Sequence, residues 1–450
     1  MTSITELPTE ILLMITSFIP VQFSGKKLLS RGHSYTADVL DRSFERRQTL
    51  YNFTCTCKAL SGPDFSFQQS PLVVHGADPP RSVEQFLKIL QHLGTGGALR
   101  RARQLFVNVG DFPSGHCFGI HNQDPLYEVL RAGVRHANVS LQKLCVHAGQ
   151  PDTCFCGGDY HHFELGQLIA ALIVVLIYHL PQLQEVTILA PRSVLQAIPL
   201  LHPMQEPCIS QYAQELGIKR LNTGNPVSPP SSLPLGLIDS MVFMQPGSEL
   251  YIRGYSPIGS LGRTVPQITS FIFNDCVLLN AILDEIRGTC RVLTKFIHRQ
   301  WNKETGPTPG RILRSLQPHS DTLHTLVIGP NRVVHAERKT KDPIISLASF
   351  TALKTLWLTN DMLRQGRSMV GTRAFLTLPP TVSKLHIADA AHGQDTHKHL
   401  LGLIQRLETH SIPLPHEVAF DRWSITLNSE TRLFELIESG NKVEQHPDLM

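Results

Sequence analysis

Residues 268–278 read ITSFIFNDCVL, and this stretch decides the fold of the chain. Large apolar residues stand at Ile268, Phe271, Phe273 and Leu278, and Cys276 lies between the last two. The spacing of two between Phe271 and Phe273 is the period of a β-strand, in which alternate side chains share a face. The pattern therefore predicts a short strand with a buried face.

Short strands of related pattern recur on both sides of this stretch. We predict them at Leu105–Val109, Leu141–Val146, Leu183–Ile188, Leu323–Ile328, Leu353–Leu363 and Val382–Ile387. The last three begin at positions 323, 353 and 382, so their spacings are 30 and 29 residues. Helical periodicity separates several of the strands and predicts helices at Ala281–His298, Ile344–Phe350 and His399–Glu408.

This series resembles a leucine-rich repeat array. Residues 268–278 match that template at every position, and Cys276 occupies its Asn/Cys position. The resemblance implies an irregular solenoid, in which each strand, loop and helix buries its apolar face against its neighbours. The alternative is an α/β domain whose strands share the leucine frame by chance.

The segment before this array, Leu7–Leu60, contains two short helical patterns. In the first half, Leu7, Ile11 and Ile15 form an apolar stripe, while Pro8 and Glu10 suit the first turn of a helix. In the second half the apolar residues follow at i, i+3, i+7 and i+10, at Leu50, Phe53, Cys57 and Leu60.

These two halves resemble an F-box, most closely the divergent F-box proteins of filamentous fungi. The family implies a small helical module that binds a Skp-type adaptor and, through it, a cullin. Carried over residue by residue, the adaptor-binding set is Leu7, Pro8, Glu10, Ile11, Leu12, Ile15, Leu50, Phe53, Cys57 and Leu60. The chain departs from the family in a basic insertion at residues 21–49. The alternative is an ordinary helical hairpin that caps a larger domain.

Composition limits the class of protein. The chain has 450 residues, 42% of them hydrophobic, which is enough to build a sizeable core. Its net charge is only +4 and shows no block of like charges, so we expect neither a nucleic-acid nor a membrane partner. Nine irregularly spaced cysteines do not describe a disulfide framework, which favours the cytoplasm or the nucleus. The apolar run Leu165–Leu180 is too short for a membrane span and predicts a buried helix.

One cluster of cysteine and histidine residues suggests a metal-binding site. Cys145, His147, Cys154 and Cys156 lie close in sequence, and His161 and His162 follow them. Thiolates and imidazoles bind zinc, but structural zinc sites usually use Cys-x-x-Cys pairs, whereas this loop offers only Cys-x-Cys. The alternative is a loop with free thiols. Because no phosphate loop, zinc-protease helix or dinucleotide motif is present in the sequence, we expect no cofactor and no catalysis.

Taken together, the sequence predicts a mixed α/β (α+β) protein with two parts. Residues 1–75 form an F-box-like helical module, and residues 76–450 form an irregular leucine-rich-repeat-like solenoid with a proline-rich loop at 222–234. The resemblance implies a non-catalytic, substrate-recognition subunit of an SCF-type cullin ubiquitin ligase, with an unknown protein as its target. The alternative is a leucine-rich-repeat interaction scaffold unrelated to ubiquitin.

Overall fold

The computed structural model describes seventeen stretches of the chain. They are residues 72–76, 79–94, 102–109, 117–121, 123–136, 160–191, 193–194, 218–224, 244–253, 268–274, 276–300, 306–330, 346–359, 378–388, 417–420, 423–427 and 434–438. The chain divides into two compact units: unit 1 comprises residues 1–229 and 233–245, and unit 2 comprises residues 230–232 and 246–450. Both units mix helices with strands, as the sequence predicts.

Unit 1 contains a parallel sheet and a helical layer. Its described elements are, in chain order, β1 (Leu72–Gly76), α1 (Pro79–Gly94), β2 (Gln104–Val109), β3 (Cys117–His121), α2 (Pro125–His136), β4 (Tyr160–Glu164), α3 (Leu165–His179), β5 (Glu185–Leu189) and β6 (Ile218–Gly224). Strands β1, β2, β5 and β6 pair in that order, all parallel. Strands β3 and β4 form a separate antiparallel pair.

Helix α3 is the centre of the helical layer in unit 1. Residues 165–177 are apolar except for Gln167, and twelve of them are buried. The helix packs against α1 and α2, so it is covered on more than one side, as an apolar helix must be. A Cβ atom built on Gly133 of α2 would lie 3.0 Å from Cγ1 of Val175, which shows how closely the two helices approach. The predicted buried helix is confirmed, and none of the described helices is both long and apolar enough to cross a membrane.

Unit 2 is built on strands that pair in chain order. Its described elements are β7 (Met244–Arg253, whose first two residues belong to unit 1), β8 (Ile268–Asn274), α4 (Asn280–Thr289), β9 (Lys295–Gln300), α5 (Pro309–Leu316), a 3₁₀ turn (Gln317–His319), β10 (Thr325–Pro330), β11 (Thr355–Thr359), β12 (Lys384–Ala388), β13 (Glu417–Phe420), β14 (Trp423–Leu427) and β15 (Phe434–Glu438). The first seven strands are parallel, and β14 and β15 complete the sheet in antiparallel pairing.

The core of unit 2 contains one row of large apolar residues. This row, with one residue from each of β7 to β12, is Leu250, Phe271, Phe296, Leu326, Leu356 and Leu385. Each is at most 1% exposed. The Phe273 ring lies 5.8 Å from that of Phe271 on the same strand and 6.0 Å from that of Phe296 on β9, so an aromatic contact joins β8 to β9. Strand β8 takes the first seven residues of the stretch quoted above, and Cys276 and Leu278, which follow it, are also buried.

The same pattern of backbone hydrogen bonds occurs at the beginning of four strands. Two consecutive N–H groups donate to the carbonyl oxygen of the residue that immediately precedes the neighbouring strand of the sheet, at 2.7–3.1 Å. The donor pairs and acceptors are Gln184 and Glu185 to Arg103, His324 and Thr325 to Thr294, Lys354 and Thr355 to His324, and Ser383 and Lys384 to Lys354. A tight turn precedes each of the four strands. We call this device the entry clamp; it occurs in both units.

Two helix predictions need correction. The predicted helix Ala281–His298 ends at Thr289, and β9 takes its second part. Residues 346–350 form a turn rather than the end of a helix, with the Phe350 N–H bonded to the Leu347 carbonyl.

Of the other predictions, one agrees with the structure only in part, and several concern residues that the structure does not describe. The first three residues of the expected proline-rich loop, 222–224, belong to β6, where they pair with β5. The predicted module at 1–75 lies outside the described residues except for 72–75, which are in β1. The strand Leu141–Val146 and the helix His399–Glu408 also lie outside them.

Candidate interaction face

The strands of unit 2 present a second face, opposite the core row. We use "second face" for the side chains of β7 to β12 that alternate with the core row. Its central row is buried on four strands, at Tyr251, Ile272, Ile297 and Val327, each at most 3% exposed. The row continues with Trp357 on β11 and His386 on β12, which are only half-buried. Strands β7 to β10 are thus buried on both faces, as is usual for parallel sheets, and the accessible part lies toward β12.

A polar row runs parallel to this central row at the start of the strands. Lys295, Thr325, Thr355 and Lys384 are in register on β9 to β12, and all four are partly exposed. Neighbouring side chains in such a row stand about 5 Å apart. The row therefore places a cation at each end and two hydroxyl groups between them.

Glu249 on β7 lies beyond the Lys295 end of the polar row. Its Oε2 atom accepts a hydrogen bond from Oγ of Ser270 at 3.0 Å, and it lies 3.6 Å from Nζ of Lys295. The two charged side chains are 17% and 21% exposed, so water screens this pair less than an ion pair on an open surface. Glu249 therefore fixes the position of Lys295 and offsets part of its charge.

An aromatic and cationic stack occupies the accessible end of the second face. The rings of Trp357 and His386 lie 5.6 Å apart at an interplanar angle of 25°. The guanidinium carbon of Arg299, on β9, lies 5.2 Å from the centre of the indole ring, within the range of a cation–π contact. On β10, Arg299 has Gly329 beside it in register, and a glycine has no side chain to stand between the arginine and β11. The indole is thus held between a cation and an imidazole that belong to strands on either side of β11.

A buried amide lies near the C-terminal ends of β7 and β8. Nδ2 of Asn274 donates to the hydroxyl of Tyr251 at 3.1 Å, and both residues are more than 90% buried. Within the described stretches, Oδ1 of Asn274 has no hydrogen-bond partner. A buried acceptor without a partner costs about 1–3 kcal/mol, so this amide is a weak point in the packing of the second face.

The core side of the same strands holds two imidazoles and two thiols. Nε2 of His298 lies 3.2 Å from the Cys276 carbonyl oxygen, and burial lowers the pKa of His298 to about 4, so the neutral ring donates this hydrogen bond. Burial also lowers the pKa of His319, whose Nε2 lies 3.3 Å from the Ile286 carbonyl oxygen. The thiol sulfur of Cys276 lies 3.2 Å from the Asn274 carbonyl oxygen and 3.4 Å from the Ile252 carbonyl oxygen, and either oxygen can accept its hydrogen bond.

The other thiol, Cys290, donates to the Ile268 carbonyl oxygen at 3.3 Å. Burial raises its pKa to about 11. The sulfur therefore stays protonated near neutral pH, and a protonated thiol is a poor nucleophile. These imidazole and thiol groups bond to backbone carbonyl groups of neighbouring segments of unit 2. Because all four are buried, they present no reactive group to solvent.

The site residues proposed from sequence lie outside the described stretches. This applies to the ten adaptor-binding positions Leu7, Pro8, Glu10, Ile11, Leu12, Ile15, Leu50, Phe53, Cys57 and Leu60, and to the weak metal candidates Cys145, His147, Cys154 and Cys156. His161 and His162 are in β4, where the exposed His162 pairs with Gly119 of β3. Among the described residues, no three His, Cys, Asp or Glu side chains are grouped to hold a metal ion.

The stack was missed by the sequence analysis, although part of its signal was present. Trp357 stands four residues after Leu353, and His386 stands four residues after Val382, so the 29-residue frame already makes them neighbours. Arg299 could not be found in this way because its strand had been read as a helix. No protein-family model, curated protein or solved structure matches the chain.

Proposed function

We propose that the chain is a substrate-recognition subunit of an SCF-type cullin ubiquitin ligase. In this proposal the segment Leu7–Leu60 binds a Skp-type adaptor, and the strands of unit 2 form a leucine-rich-repeat-like solenoid that binds a protein target. The adaptor-binding half rests on the sequence resemblance to an F-box. The target-binding half rests on the arrangement of the strands.

The single observation that carries the solenoid is the repeated order of its strands. Seven parallel strands, β7 to β13, pair in chain order, and the entry clamp recurs at β10, β11 and β12. Where described, the connections include helices α4 and α5. A chain in which each strand is added beside the previous one buries its apolar residues by stacking similar units, which is the principle of a solenoid.

A recognition subunit of this kind performs no chemistry itself. It raises the effective concentration of its target near the ligase, because one chain binds the adaptor and the target at the same time. The second face suits the target-binding role because aromatic and arginine side chains at an accessible surface are the groups that contribute most to protein interfaces. Arg299, Trp357 and His386 are such a group.

The competing function is a repeat-protein scaffold that uses the strands of unit 2 without any link to ubiquitin. The same observations on unit 2 support it, since they do not involve the N-terminal segment. The two functions differ in one property, which is whether residues 1–60 bind a Skp-type adaptor.

Co-purification with a Skp-type adaptor tests the proposal. The full chain is expressed with the adaptor as the wild type, as the double variant Leu7→Ala/Pro8→Ala, and as the matched control Ser3→Ala/Thr5→Ala, which changes two polar residues just before the apolar stripe. We expect the wild type and the control to retain the adaptor and the Leu7/Pro8 variant to lose it. Tryptophan fluorescence checks that unit 2 is still folded, since Trp301, Trp357 and Trp423 are all in unit 2. Equal retention by all three proteins, or by none, would rule out the F-box assignment and favour the scaffold.

A further inference from the structure

We draw no further inference here: the strongest candidate, the accessible part of the second face around Trp357 and His386, has acidic residues beside its lysines, with Glu249 paired to Lys295 and Glu417 in register with Lys384, and nothing in the described part of the chain shows what covers it.

Discussion

The buried imidazole of His298 should make unit 2 sensitive to mild acid. His298 is 2% exposed on the core side of β9, and its pKa is lowered to about 4. In the unfolded chain a histidine has a pKa near 6.5, so below that pH the unfolded state binds a proton that the folded state does not. The stabilising contribution is therefore fully present above pH 6.5 and is lost as the pH falls toward 4.

The size of the effect follows from these two pKa values. A separation of about 2.5 pH units corresponds to roughly 3 kcal/mol of unfolding free energy in total, and roughly 2 kcal/mol of it is lost by pH 5. A loss of this size is a large part of the 5–15 kcal/mol that is typical of a folded domain. His319 adds a contribution of the same sign, since its pKa is also lowered by burial.

Urea unfolding followed by tryptophan fluorescence measures this contribution. The three tryptophans belong to unit 2, so the signal reports that unit alone. The unfolding free energy is compared at pH 7.5 and pH 5.0 for the wild type, for His298→Gln, and for His324→Gln as the control at an exposed position. The glutamine at 298 cannot gain a proton, so that variant should lose roughly 2 kcal/mol less than the wild type on acidification.

Two results would refute this reasoning. One is an equal loss of stability in the wild type and in His298→Gln, which would mean that the imidazole is protonated in the folded protein. The other is a reduced loss in His324→Gln, which would mean that the pH dependence does not come from the buried ring.

Three further predictions concern packing and the N-terminal segment. Leu356→Ala should lower the unfolding free energy of unit 2 by about 2–5 kcal/mol, and Thr355→Ala should lower it several times less, because the leucine is 1% exposed and the threonine lies on the other face of the strand. Comparable shifts of the urea midpoint in the two variants would contradict this alternation. Gly133→Ala should lower the melting temperature of unit 1, because the new Cβ atom would lie 3.0 Å from a side chain of α3. Gly288→Ala should raise the melting temperature of unit 2, because no atom lies within 4 Å of the new Cβ and alanine favours a helix. Calorimetry measures both, and a higher melting temperature for Gly133→Ala would show that α3 moves to make room for the methyl group. Amide hydrogens of residues 1–60 should exchange quickly in the isolated protein and slowly when a Skp-type adaptor is bound, because a short helical module gains stability from a partner that binds only its folded form. Strong protection of these amides without adaptor would contradict the F-box assignment.

Much of the strand order of unit 2 could be read from the sequence, because strands β8, β10, β11 and β12 follow one apolar frame. Strand β9 could not, because the apolar spacing of helix α4 continues into it: Ile282 and Ile286 are followed at near-helical intervals by Leu293 and Phe296. The helix ends at Thr289, and the N–H of the next residue, Cys290, bonds to the Ile286 carbonyl while its thiol bonds to the Ile268 carbonyl of β8. The contact of the Cys290 thiol with β8 is a tertiary contact, so the apolar periodicity of the local sequence does not reveal it. One clue was available, since Leu293 stands 30 residues before Leu323.

The candidate site was less accessible to sequence reasoning than the fold. The 29-residue spacing makes Trp357 and His386 neighbours. The contact of Trp357 with Arg299 depends on the position of β9 and on Gly329 of β10, a small residue that lies between Arg299 and β11. The buried state of the central row on β7 to β10 was also unexpected, since a repeat strand was predicted to bury only one face. Burial of a second face depends on what packs against it, and the pattern of a single strand does not reveal this.

The entry clamp has a consequence for how this chain can change during evolution. It fixes the register of a strand by two hydrogen bonds at its first residues, whatever the length of chain that precedes them. Its donors and acceptors lie 29 to 31 residues apart at β10, β11 and β12, but 81 and 82 residues apart at β5, where Gln184 and Glu185 bond to Arg103. Because lengthening a loop adds little entropy cost once its ends are fixed, insertions between clamps should be tolerated without shifting any row of side chains. The connecting loops can thus acquire new sequence, and new binding properties, while the strands beneath them keep their alignment.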